Sequence, residues 1–393
     1  MQEAAESREY PRPIRSSRMR YAMIMAGGAG TRLWPLSRRK RPKQLLRFIH
    51  VPGDRQPHCL LDMAAARLQG LVPPERRFIC TGEAYRAGVR EAVPGIGDDQ
   101  ILGEPMGRDT LNAVGLAAAV FQKLDSEAIF SVLTADHIIS PEDVFRNRME
   151  LGFRLVEGDP NRLVTFSIHP TFAATGYGYV ERGAPIVDVD GCNEGGTQLA
   201  YKVARFVEKP DRHRAEAYVN SGQFGWNSGM FVFHAGTMLD CIKRFQPAAH
   251  DGLMRIQASW GTNDQQTTLL EVYPRLPKTS IDYGVMEPAS TDPRLSVCMV
   301  DMQVRWLDVG SWPAYSETIE PDADDNRITG SGSAIMSSST GNLVFNEVGG
   351  HTIAMLGCEN LVVIRTPDVT LIVPRDRADE LKDLYSQLPD TLT

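Results

Sequence analysis

A glycine-rich loop followed by a cluster of cations contains the residues best suited to bind an anion. Gly27, Gly28 and Gly30 follow an apolar run from Ala22 to Met25, which predicts a buried strand that ends in a loop without side chains. The backbone N–H groups of such a loop can converge on an anion. The loop is followed by the cations Arg32, Arg38, Arg39, Lys40, Arg41, Lys43 and Arg47. Because the chain carries a net charge of −7, this local positive charge predicts a polyphosphate ligand.

Two common phosphate-binding motifs do not fit this loop. The pattern G-x-x-x-x-G-K-[ST] fails because no Gly-Lys pair follows Gly30, where the chain instead reaches Trp34. The dinucleotide pattern G-x-G-x-x-G fails because Leu33 takes the place of the third glycine, which argues against a nicotinamide oxidoreductase. An ordinary turn between a strand and a helix, with solvated basic residues, is the alternative.

Asp136 follows a strongly apolar, strand-like run and is a candidate metal ligand, whereas Asp308 ends another apolar run and by itself reads as a plausible cap before a turn. A carboxylate at the carboxyl end of a strand points into the ligand crevice of an α/β sheet, where a hard cation needs oxygen ligands. Asp136 could instead cap the helix that follows it.

A Glu-Lys-Pro sequence and two glycine- and aromatic-rich stretches supply further polar candidates. Glu208 and Lys209 follow an apolar run that Pro210 ends. Such a charge pair is commonly exposed and contributes little to stability. The stretches Gly176–Tyr179 and Trp226–Phe231 are equally typical of core and turn residues.

The elements that must position these residues follow from hydrophobic periodicity. Strands are predicted at Tyr21–Met25, Arg77–Cys80, Gln100–Leu102, Ala128–Leu133 and Leu163–Phe166. Helices are predicted at Leu60–Leu68, Ala84–Ala92, Thr110–Leu124, Pro141–Val156, Ala235–Phe245 and Gly252–Trp260. The alternation predicts an α/β fold with a Rossmann-like, doubly wound sheet that is parallel in the first half. Hairpin-like pieces at Gly176–Glu181 and Ala200–Val207 make the predicted sheet mixed.

The pattern changes after Pro321–Asn326, an acidic, turn-rich stretch that resembles a linker. Short β-rich runs then alternate with turn residues, and an amphipathic helix is predicted at Ala378–Leu388. We therefore expect a catalytic domain at 19–320 and a small all-β domain with a terminal helix at 326–393. We expect residues 1–18 to form a disordered tail without a secretory signal, with Met19 as an alternative start.

The composition is that of a globular protein with two domains. The chain has 393 residues, of which 42% are hydrophobic and 23% are charged. An isoelectric point near 5.7 argues against nucleic acid or an anionic membrane as partner, and no apolar window is long enough to span a bilayer. The six cysteines are scattered without metal-binding spacing, which predicts free thiols and a cytoplasmic location.

The glycine-rich stretch Gly27–Leu36, with Pro42-Lys43-Gln44, resembles the signature of the sugar-1-phosphate nucleotidylyltransferases. Trp34 and Gln44 resemble the mannose-1-phosphate guanylyltransferase branch. Other stretches that resemble this family occur in order at 104–110, 133–137, 176–179, 206–210, 226–231, 280–287 and 306–312. The resemblance implies that the β-rich tail is a short left-handed β-helix. It also implies that the large isomerase domain of some bacterial relatives is absent, since the chain ends at Thr393.

The resemblance implies a set of site residues. Asp136 and Asp308 would hold Mg²⁺, and His137 would orient the loop because Mg²⁺ prefers oxygen ligands. The implied catalytic residues are Arg32, Lys43, Asp136, Lys209 and Asp308. The implied nucleotide site contains Ala26, Gly27, Gly28, Gly30, Thr31, Arg32, Lys43, Glu104, Arg108 and Thr110. The implied sugar-phosphate site contains Gly176, Tyr177, Gly178, Glu208, Lys209 and Asn227. Asp109 replaces the usual asparagine of the nucleotide motif, and Asp282 takes a supporting position.

The implied reaction is the conversion of GTP and α-D-mannose 1-phosphate to GDP-mannose and pyrophosphate with Mg²⁺. One alternative is the same chemistry on glucose 1-phosphate with UTP or dTTP. Another is a regulatory homologue that has lost catalysis, although the residues expected to bind metal and phosphate are present. A homodimer through the β-rich tail is a further expectation.

Overall fold

A computed structural model describes residues 20–28, 30–51, 53–54 and 56–393. The expected tail at 1–18 and the alternative start at Met19 lie outside the described residues. The strands up to residue 310 are β1 (Arg20–Met25), β2 (Arg47–Ile49), β3 (His58–Cys59), β4 (Arg77–Gly82), β5 (Ile101–Glu104), β6 (Ile129–Thr134), β7 (His137–Ser140), β8 (Arg162–Ile168), β9 (Tyr179–Pro185), β10 (Asn193–Glu194), β11 (Thr197–Gln198), β12 (Ala200–Val207), β13 (Phe224–His234), β14 (Ser296–Asp301) and β15 (Arg305–Asp308). The α-helices up to residue 320 are α1 (Leu60–Ala66), α2 (Arg86–Ala92), α3 (Thr110–Leu124), α4 (Glu142–Gly158), α5 (Arg212–Ser221), α6 (Ala235–Phe245), α7 (Pro247–Ser259), α8 (Gln265–Val272), α9 (Glu287–Ala289) and α10 (Trp312–Ser316).

The largest sheet is mixed, and its described strands follow the order β5-β4-β1-β6-β13-β8-β14-β12-β9. The strands predicted in the first half run parallel to one another, whereas β12 and β13 run antiparallel to their neighbours. This arrangement confirms the predicted Rossmann-like, mixed α/β fold. The sequence analysis did not predict β13, which inserts between β6 and β8.

Helices cover both faces of this sheet. On one face α3 packs against α6 and α7, and the buried ring of Phe121 stacks on Tyr21 of β1 with centroids 4.9 Å apart. On the other face α4 buries Phe145 and Phe153 against the sheet. The strands β1 and β6 end side by side, since Met25 lies opposite Thr134. The glycine-rich loop and Asp136 therefore start at the same edge of the sheet.

The chain after residue 326 winds into short stacked strands. They are β16 (Arg327–Gly330), β17 (Ser333–Ser337), β18 (Leu343–Asn346), β19 (Thr352–Leu356), β20 (Leu361–Arg365) and β21 (Thr370–Pro374). The strands β16, β18 and β20 pair in parallel, as do β17 and β19, while β21 is antiparallel to β20. The predicted all-β module is confirmed.

The element that closes this module is shorter than predicted. A 3₁₀ turn at Arg375–Glu380 leads into α11 (Leu381–Tyr385), instead of one helix over Ala378–Leu388. Leu381 is buried, and Tyr385 and Leu388 pack partly buried on the same apolar cluster, so the predicted apolar face is present although the segment is divided into two short helical turns. The stretch 317–326, where the domain boundary is expected, contains no helix or strand.

The C-terminal module packs directly on the segment that follows the glycine loop. The shared apolar cluster contains Leu33, Trp34, Leu36, Leu46, Phe48, Leu343, Phe345, Val362, Ile364, Leu371 and Leu381. The indole N–H of Trp34 donates to the carbonyl oxygen of Leu392 at 2.8 Å. The segment that follows the glycine loop is therefore held in place by the C-terminal module.

Several members of the cationic cluster form ion pairs with the C-terminal module. Arg38 forms two hydrogen bonds with Asp368, at 2.7 and 2.8 Å. The other ion pairs between this cluster and the C-terminal module join Arg32 to Asp379 at 3.4 Å, Arg39 to Asp390 at 2.8 Å and Arg41 to Glu347 at 3.3 Å. Arg47 instead pairs with Asp62 at 3.4 Å. Most of these cations neutralise acidic residues that lie far away in sequence. Within the described ranges, no helix combines the length and apolar character needed to cross a bilayer.

Candidate active site

The fold brings Asp136 and Asp308 together through a small antiparallel ribbon. Strand β7 pairs with β15, and this register places Asp308 opposite His137. The N–H of Val309 donates to the carbonyl oxygen of Asp136 at 3.0 Å. One ligand atom from each of Asp136, His137 and Asp308 lies within 4.8 Å of the others. The convergence expected of the two aspartates is therefore present.

Lys43 reaches this acidic cluster from the signature segment. Its Nζ lies 2.7 Å from Oδ2 of Asp136 and 3.3 Å from the carbonyl oxygen of Val309. Burial alone would raise the pKa of Asp136, but Lys43 and then His137 outweigh it and lower this pKa to about 2. Burial and the charge of Asp136 raise the pKa of Asp308. The two carboxylates thus repel each other, and added positive charge between them would relieve that repulsion.

The contacts of His137 favour an orienting role over metal ligation. The indole N–H of Trp306 donates to Nδ1 of His137 at 3.2 Å, and because an indole can only donate, Nδ1 must accept. Burial lowers the pKa of His137 although both aspartates oppose this effect. A neutral imidazole that accepts at Nδ1 carries its proton on Nε2, which lies 3.8 Å from Oδ1 of Asp136. This distance is too long for a hydrogen bond, and a protonated Nε2 has no lone pair with which to ligate a metal ion.

The donor set fits a magnesium ion. Two carboxylates supply hard oxygen ligands, and Mg²⁺ commonly takes one or two carboxylates together with water and substrate phosphates. Asp136 and Asp308 are only partly buried, so water and a phosphate can reach them. Asp136 and Asp308 are the residues that would hold the ion, with Lys43 sharing the charge of Asp136.

A cavity of about 370 Å³, here called the loop cavity, opens beside the glycine-rich loop. Its lining is Met25, Gly27, Gly28, Cys80, Glu104, Gly107, Asp109, Thr110, Ala113, Thr134, Asp136 and Lys278. Gln44, which is buried, donates from its amide to the carbonyl oxygen of Gly27 and so holds the loop. Of the residues expected around a nucleotide, the structure places Gly27, Gly28, Glu104 and Thr110 in this lining.

Other residues of the expected nucleotide site lie outside the described lining. The N–H of Ala26 donates to Cys80 and its carbonyl oxygen accepts from Thr81, so its backbone groups continue the sheet. Gly30 is packed so closely that an added Cβ would lie 2.9 Å from Cβ of Lys43. Thr31 begins a 3₁₀ turn, Arg108 is placed by a bond from Asn112 to its carbonyl oxygen, and Arg32 pairs with Asp379 at 3.4 Å.

Glu104 presents a nearly buried carboxylate in the loop cavity. Its side chain accepts a hydrogen bond of 2.6 Å from the hydroxyl of Tyr273, and the residue is 7% exposed. Burial raises its pKa, although hydrogen bonds from Tyr273 and Cys80 oppose the shift. Its Oε2 lies 3.9 Å from the position that a Cβ on Gly27 would take. The carboxylate is therefore fixed beside the glycine loop.

The rim of the loop cavity is formed where two segments meet at the start of α3. Asp109 adopts a φ of 69° and caps the helix by accepting from the N–H of Thr110 at 2.9 Å. The hydroxyl of Thr110 accepts from the N–H of Ile281, which fastens the 277–281 segment. That segment brings in Lys278, a cation that the sequence analysis missed because it stands in none of the quoted motifs.

A second cavity, of about 210 Å³ and here called the Lys209 cavity, adjoins the first. Its lining is Thr134, Asp136, His137, Gly176, Tyr177, Gly178, Glu208, Lys209, Asn227, Ser228, Gly229, Asp282, Trp306 and Asp308. Every residue expected to bind the sugar phosphate lies in this lining. Thr134 and Asp136 line both cavities. Two ligands can therefore bind side by side and meet at Asp136.

Charged and amide groups form one side of the Lys209 cavity. The side chain of Glu208 is 8% exposed, and Nζ of Lys209 lies 3.3 Å from its Oε1. Gly178 leaves room for this carboxylate, because an added Cβ would push Oε2 of Glu208 out of its position. Burial raises the pKa of Glu208 although Lys209 opposes this shift. Lys209 is more than half exposed, so it can turn to another anion.

Two aromatic residues, Tyr177 and Trp306, also line the Lys209 cavity, and they belong to a larger group of rings. The ring of Tyr177 makes edge contacts with Trp226 and Trp306, in both cases with centroids 5.2 Å apart. Phe172 extends the group with an edge contact to Trp226 at 4.9 Å. Burial, followed by the charge of Asp308, raises the pKa of Tyr177 to about 12, so its hydroxyl stays protonated. The sequence analysis assigned no role to Trp306, although it stands two residues before Asp308.

Comparison with known proteins agrees with this arrangement. Residues 21–325 match the profile of the family described as Nucleotidyl transferase. Residues 334–388 match the domain described as MannoseP isomerase/GMP-like beta-helix domain. Each match falls on one of the two structural parts of the chain.

Individual relatives cover nearly the whole chain. A mannose-1-phosphate guanylyltransferase of Klebsiella pneumoniae is 36% identical over 366 residues, which are 92% of this chain and 72% of the relative. A mannose-1-phosphate guanylyltransferase of Escherichia coli K12 is 34% identical over 94% of this chain and 73% of its own length. A crystal structure named mannose-1-phosphate geranyltransferase, from Thermus thermophilus, superposes with a TM-score of 0.78 at 35% identity. The alignment covers 94% of this chain and 99% of that one.

Proposed function

Because this chain belongs to the nucleotidyl transferase family and to its mannose-1-phosphate guanylyltransferases, we propose that it transfers GMP from GTP to α-D-mannose 1-phosphate. The products are GDP-mannose and pyrophosphate. The observation that carries this proposal is that the loop cavity and the Lys209 cavity meet at Asp136, with Lys43 and Asp308 beside it. One cavity would take the nucleotide and the other the sugar phosphate.

The reaction needs alignment and charge neutralisation more than proton transfer. The phosphate of the sugar phosphate is already an anionic nucleophile, so its oxygen has only to lie in line with the α-phosphorus of the nucleotide. The N–H groups of the glycine loop would hold the triphosphate, and Lys43 would contact the α-phosphate. Lys209 would hold the phosphate of the nucleophile. Arg32 would exchange its exposed pair with Asp379 for a triphosphate oxygen.

Asp136 and Asp308 would hold Mg²⁺ against the reacting phosphates. A bound Mg²⁺ ion supplies charge stabilisation to the transferring group. His137 would support the loop that carries Asp136, since its Nδ1 is held by the indole N–H of Trp306 at 3.2 Å. The ammonium of Lys43 neutralises part of the charge of Asp136, and it lies where it could also contact the α-phosphate.

Glu104 supports guanine as the base. A fixed carboxylate can accept two parallel hydrogen bonds, and guanine offers the adjacent donors N1–H and N2–H₂ on its Watson–Crick edge. Uracil and thymine offer one such donor, and adenine would place an unprotonated N1 against the carboxylate. A site built to accept hydrogen bonds rejects a base that leaves its acceptor unpaired. This argument favours GTP over UTP and dTTP.

The remaining expectations belong to the same proposal. Loss of catalysis would be expected to remove cleft residues, whereas Lys43, Asp136, Lys209 and Asp308 are all in place. The cysteines are free, and five of them are buried, which fits a reducing cytoplasm.

For the expected homodimer, the exposed side chains of Ile335, Leu356 and Ile372 on the C-terminal module offer an apolar surface. Size-exclusion chromatography measures the oligomeric state.

A pyrophosphate-release assay tests the proposed function. The four common nucleoside triphosphates are each combined with mannose, glucose and N-acetylglucosamine 1-phosphates in the presence of Mg²⁺. We expect the highest kcat/KM for GTP with mannose 1-phosphate. Equal or greater kcat/KM with another pair would overturn the assignment of substrates, and release with no pair would overturn the proposed activity.

A further inference from the structure

We propose that Asp282 binds a hydroxyl of the sugar ring directly, as the partner of Glu208 in a pair of carboxylates. This inference rests on the proposed function, because it states how the Lys209 cavity recognises its hexose. The sequence analysis assigned Asp282 only a supporting position, whereas the structure places it in the cavity lining with Glu208 and Lys209.

The local backbone brings Asp282 into the cavity. Asp282 is the first residue of a π-helical turn, Asp282–Met286. Such turns are rare and occur frequently at functional sites. The residue before the turn, Ile281, is tied to Thr110 through its N–H, so the position of the turn is fixed by the start of α3. Asp282 is therefore presented to the cavity by a well-anchored segment.

The neighbouring amide fixes the orientation of this carboxylate. Nδ2 of Asn227 donates to Oδ1 of Asp282 at 2.8 Å. The other end of the amide, Oδ1 of Asn227, accepts from the hydroxyl of Thr165 at 2.8 Å and from the N–H of Gly229 at 3.3 Å. These bonds fix the orientation of the amide, with its N–H₂ group toward Asp282. Among the described side chains, only Asn227 donates a hydrogen bond to the carboxylate of Asp282. The carboxylate can therefore accept further hydrogen bonds from a ligand.

The carboxylates of Glu208 and Asp282, which line the same cavity, interact electrostatically. Burial, and next the charge of Glu208, raise the pKa of Asp282 to about 7. Lys209 is the cation that neutralises Glu208, at 3.3 Å. Two desolvated carboxylates near each other offer adjacent acceptors, and neighbouring hydroxyls of a hexose are adjacent donors. Hydrogen bonds from hydroxyls would replace the solvent that a bound sugar excludes, and a sugar lacking one of them would leave a carboxylate unpaired.

The alternative is that Asp282 only positions Asn227, and a matched pair of variants separates the two roles. Asp282→Asn keeps the size of the side chain and an oxygen that can accept from Asn227, but removes the carboxylate. Thr165→Val removes the other side-chain partner of Asn227. Thr165 is fully buried and is not among the residues that line the Lys209 cavity. Thermal unfolding first checks that both variants are folded. Asp282→Ser, which also keeps an acceptor, replaces Asp282→Asn if that variant is not folded.

Steady-state kinetics with GTP and mannose 1-phosphate give the main result. We expect Asp282→Asn to raise the KM for mannose 1-phosphate by about 10- to 100-fold, the range for losing a hydrogen bond to a charged group. The KM for GTP should stay within about twofold, because Asp282 lies in the Lys209 cavity. Thr165→Val, which loosens Asn227 but keeps the carboxylate of Asp282, should raise the KM for the sugar phosphate clearly less than Asp282→Asn does. An unchanged KM in Asp282→Asn, or an equal rise in Thr165→Val, would overturn the proposal.

Deoxy analogues of mannose 1-phosphate identify the hydroxyl. For the analogue that lacks the contacted hydroxyl, the wild-type protein and Asp282→Asn should have equal kcat/KM, while the other analogues keep the difference. A difference that persists with every deoxy analogue would also overturn direct contact. If the wild-type protein releases no pyrophosphate with any sugar phosphate, the proposed function fails. If it is active and Asp282→Asn behaves like it, only this inference fails.

Discussion

Lys43 and Arg38 belong to the same short cationic segment, yet they lie in opposite surroundings. Lys43 is 8% exposed and its ammonium lies 2.7 Å from Asp136 in the cleft. Arg38 faces the C-terminal module and pairs with Asp368, whose side chain is 48% exposed. One cation is placed to act on a ligand and the other to hold two parts of the chain together. A high local density of positive charge therefore does not by itself indicate a single ligand.

The largest effect is expected from a change to Asp136, the acid in the cleft that Lys43 contacts. Asp136→Asn removes a carboxylate of the expected Mg²⁺ site at nearly constant volume, so we expect Mg²⁺-dependent turnover to fall by at least about 10³-fold. Pyrophosphate release at several Mg²⁺ concentrations measures it, and circular dichroism checks the fold. Full activity in this variant would remove Asp136 from the metal site.

The next largest effect is expected for the cation itself. Lys43→Ala should lower kcat by about 10²- to 10³-fold, the scale for losing one contact to charge that develops in the transition state. Lys40→Ala is the matched control, because Lys40 lies in the same segment but has no ion pair among the described residues. Single-turnover kinetics on both variants measure the chemical step. A change confined to the melting temperature of Lys43→Ala would contradict its catalytic role.

A smaller effect is expected on the other side of the comparison. Arg38→Ala should leave kcat/KM within about twofold and reduce the free energy of unfolding by about 1 kcal/mol, since the side chain of Asp368 is about half exposed and solvent screens the pair. Urea unfolding of Arg38→Ala, Asp368→Ala and the double variant isolates the energy of the pair. A loss of turnover like that of Lys43→Ala would show that Arg38 also serves the ligand.

The smallest effect should appear with pH. The hydrogen bond from Arg38, which outweighs a small desolvation effect, lowers the pKa of Asp368 below its ordinary value of 3.8. A lowered pKa means that this pair stabilises the fold above pH 3.8 and that the contribution is lost as pH falls through the lower, folded-state pKa. Melting temperatures of wild-type protein and Asp368→Asn should therefore converge in acid. A constant difference down to pH 2 would contradict the ion pair.

Local patterns were sufficient to predict much of the fold. The strands β1, β4 and β6 were predicted because each is a continuous apolar run next to turn residues, and α3 was predicted with its observed limits. Strand β13 was missed, although its Trp226 and Asn227 were noted. Periodicity identifies an extended segment but not its partner, and β13 pairs with strands from distant parts of the sequence.

The candidate site was predictable only in part for a related reason. Asp136 and Asp308 each follow a strand, and sequence resemblance suggested their shared role, but only the pairing of β7 with β15 brings them together. The roles of Lys278 and Asp282 depend on how the 277–282 segment docks at the start of α3. Arg38, Arg39 and Arg41 pair with acids of the C-terminal module, which charge density alone could not show.

Thr134 and Asp136 form a wall common to both cavities, and this has a consequence for inhibition. A single compound that joins a guanosine portion to a hexose through a short phosphate-like bridge would fill both cavities at once. Because the second group would already be tethered next to its site, its effective concentration there would be in the millimolar range for a short flexible linker. Such a compound would inhibit more strongly than either half, without any contact that the halves do not already make.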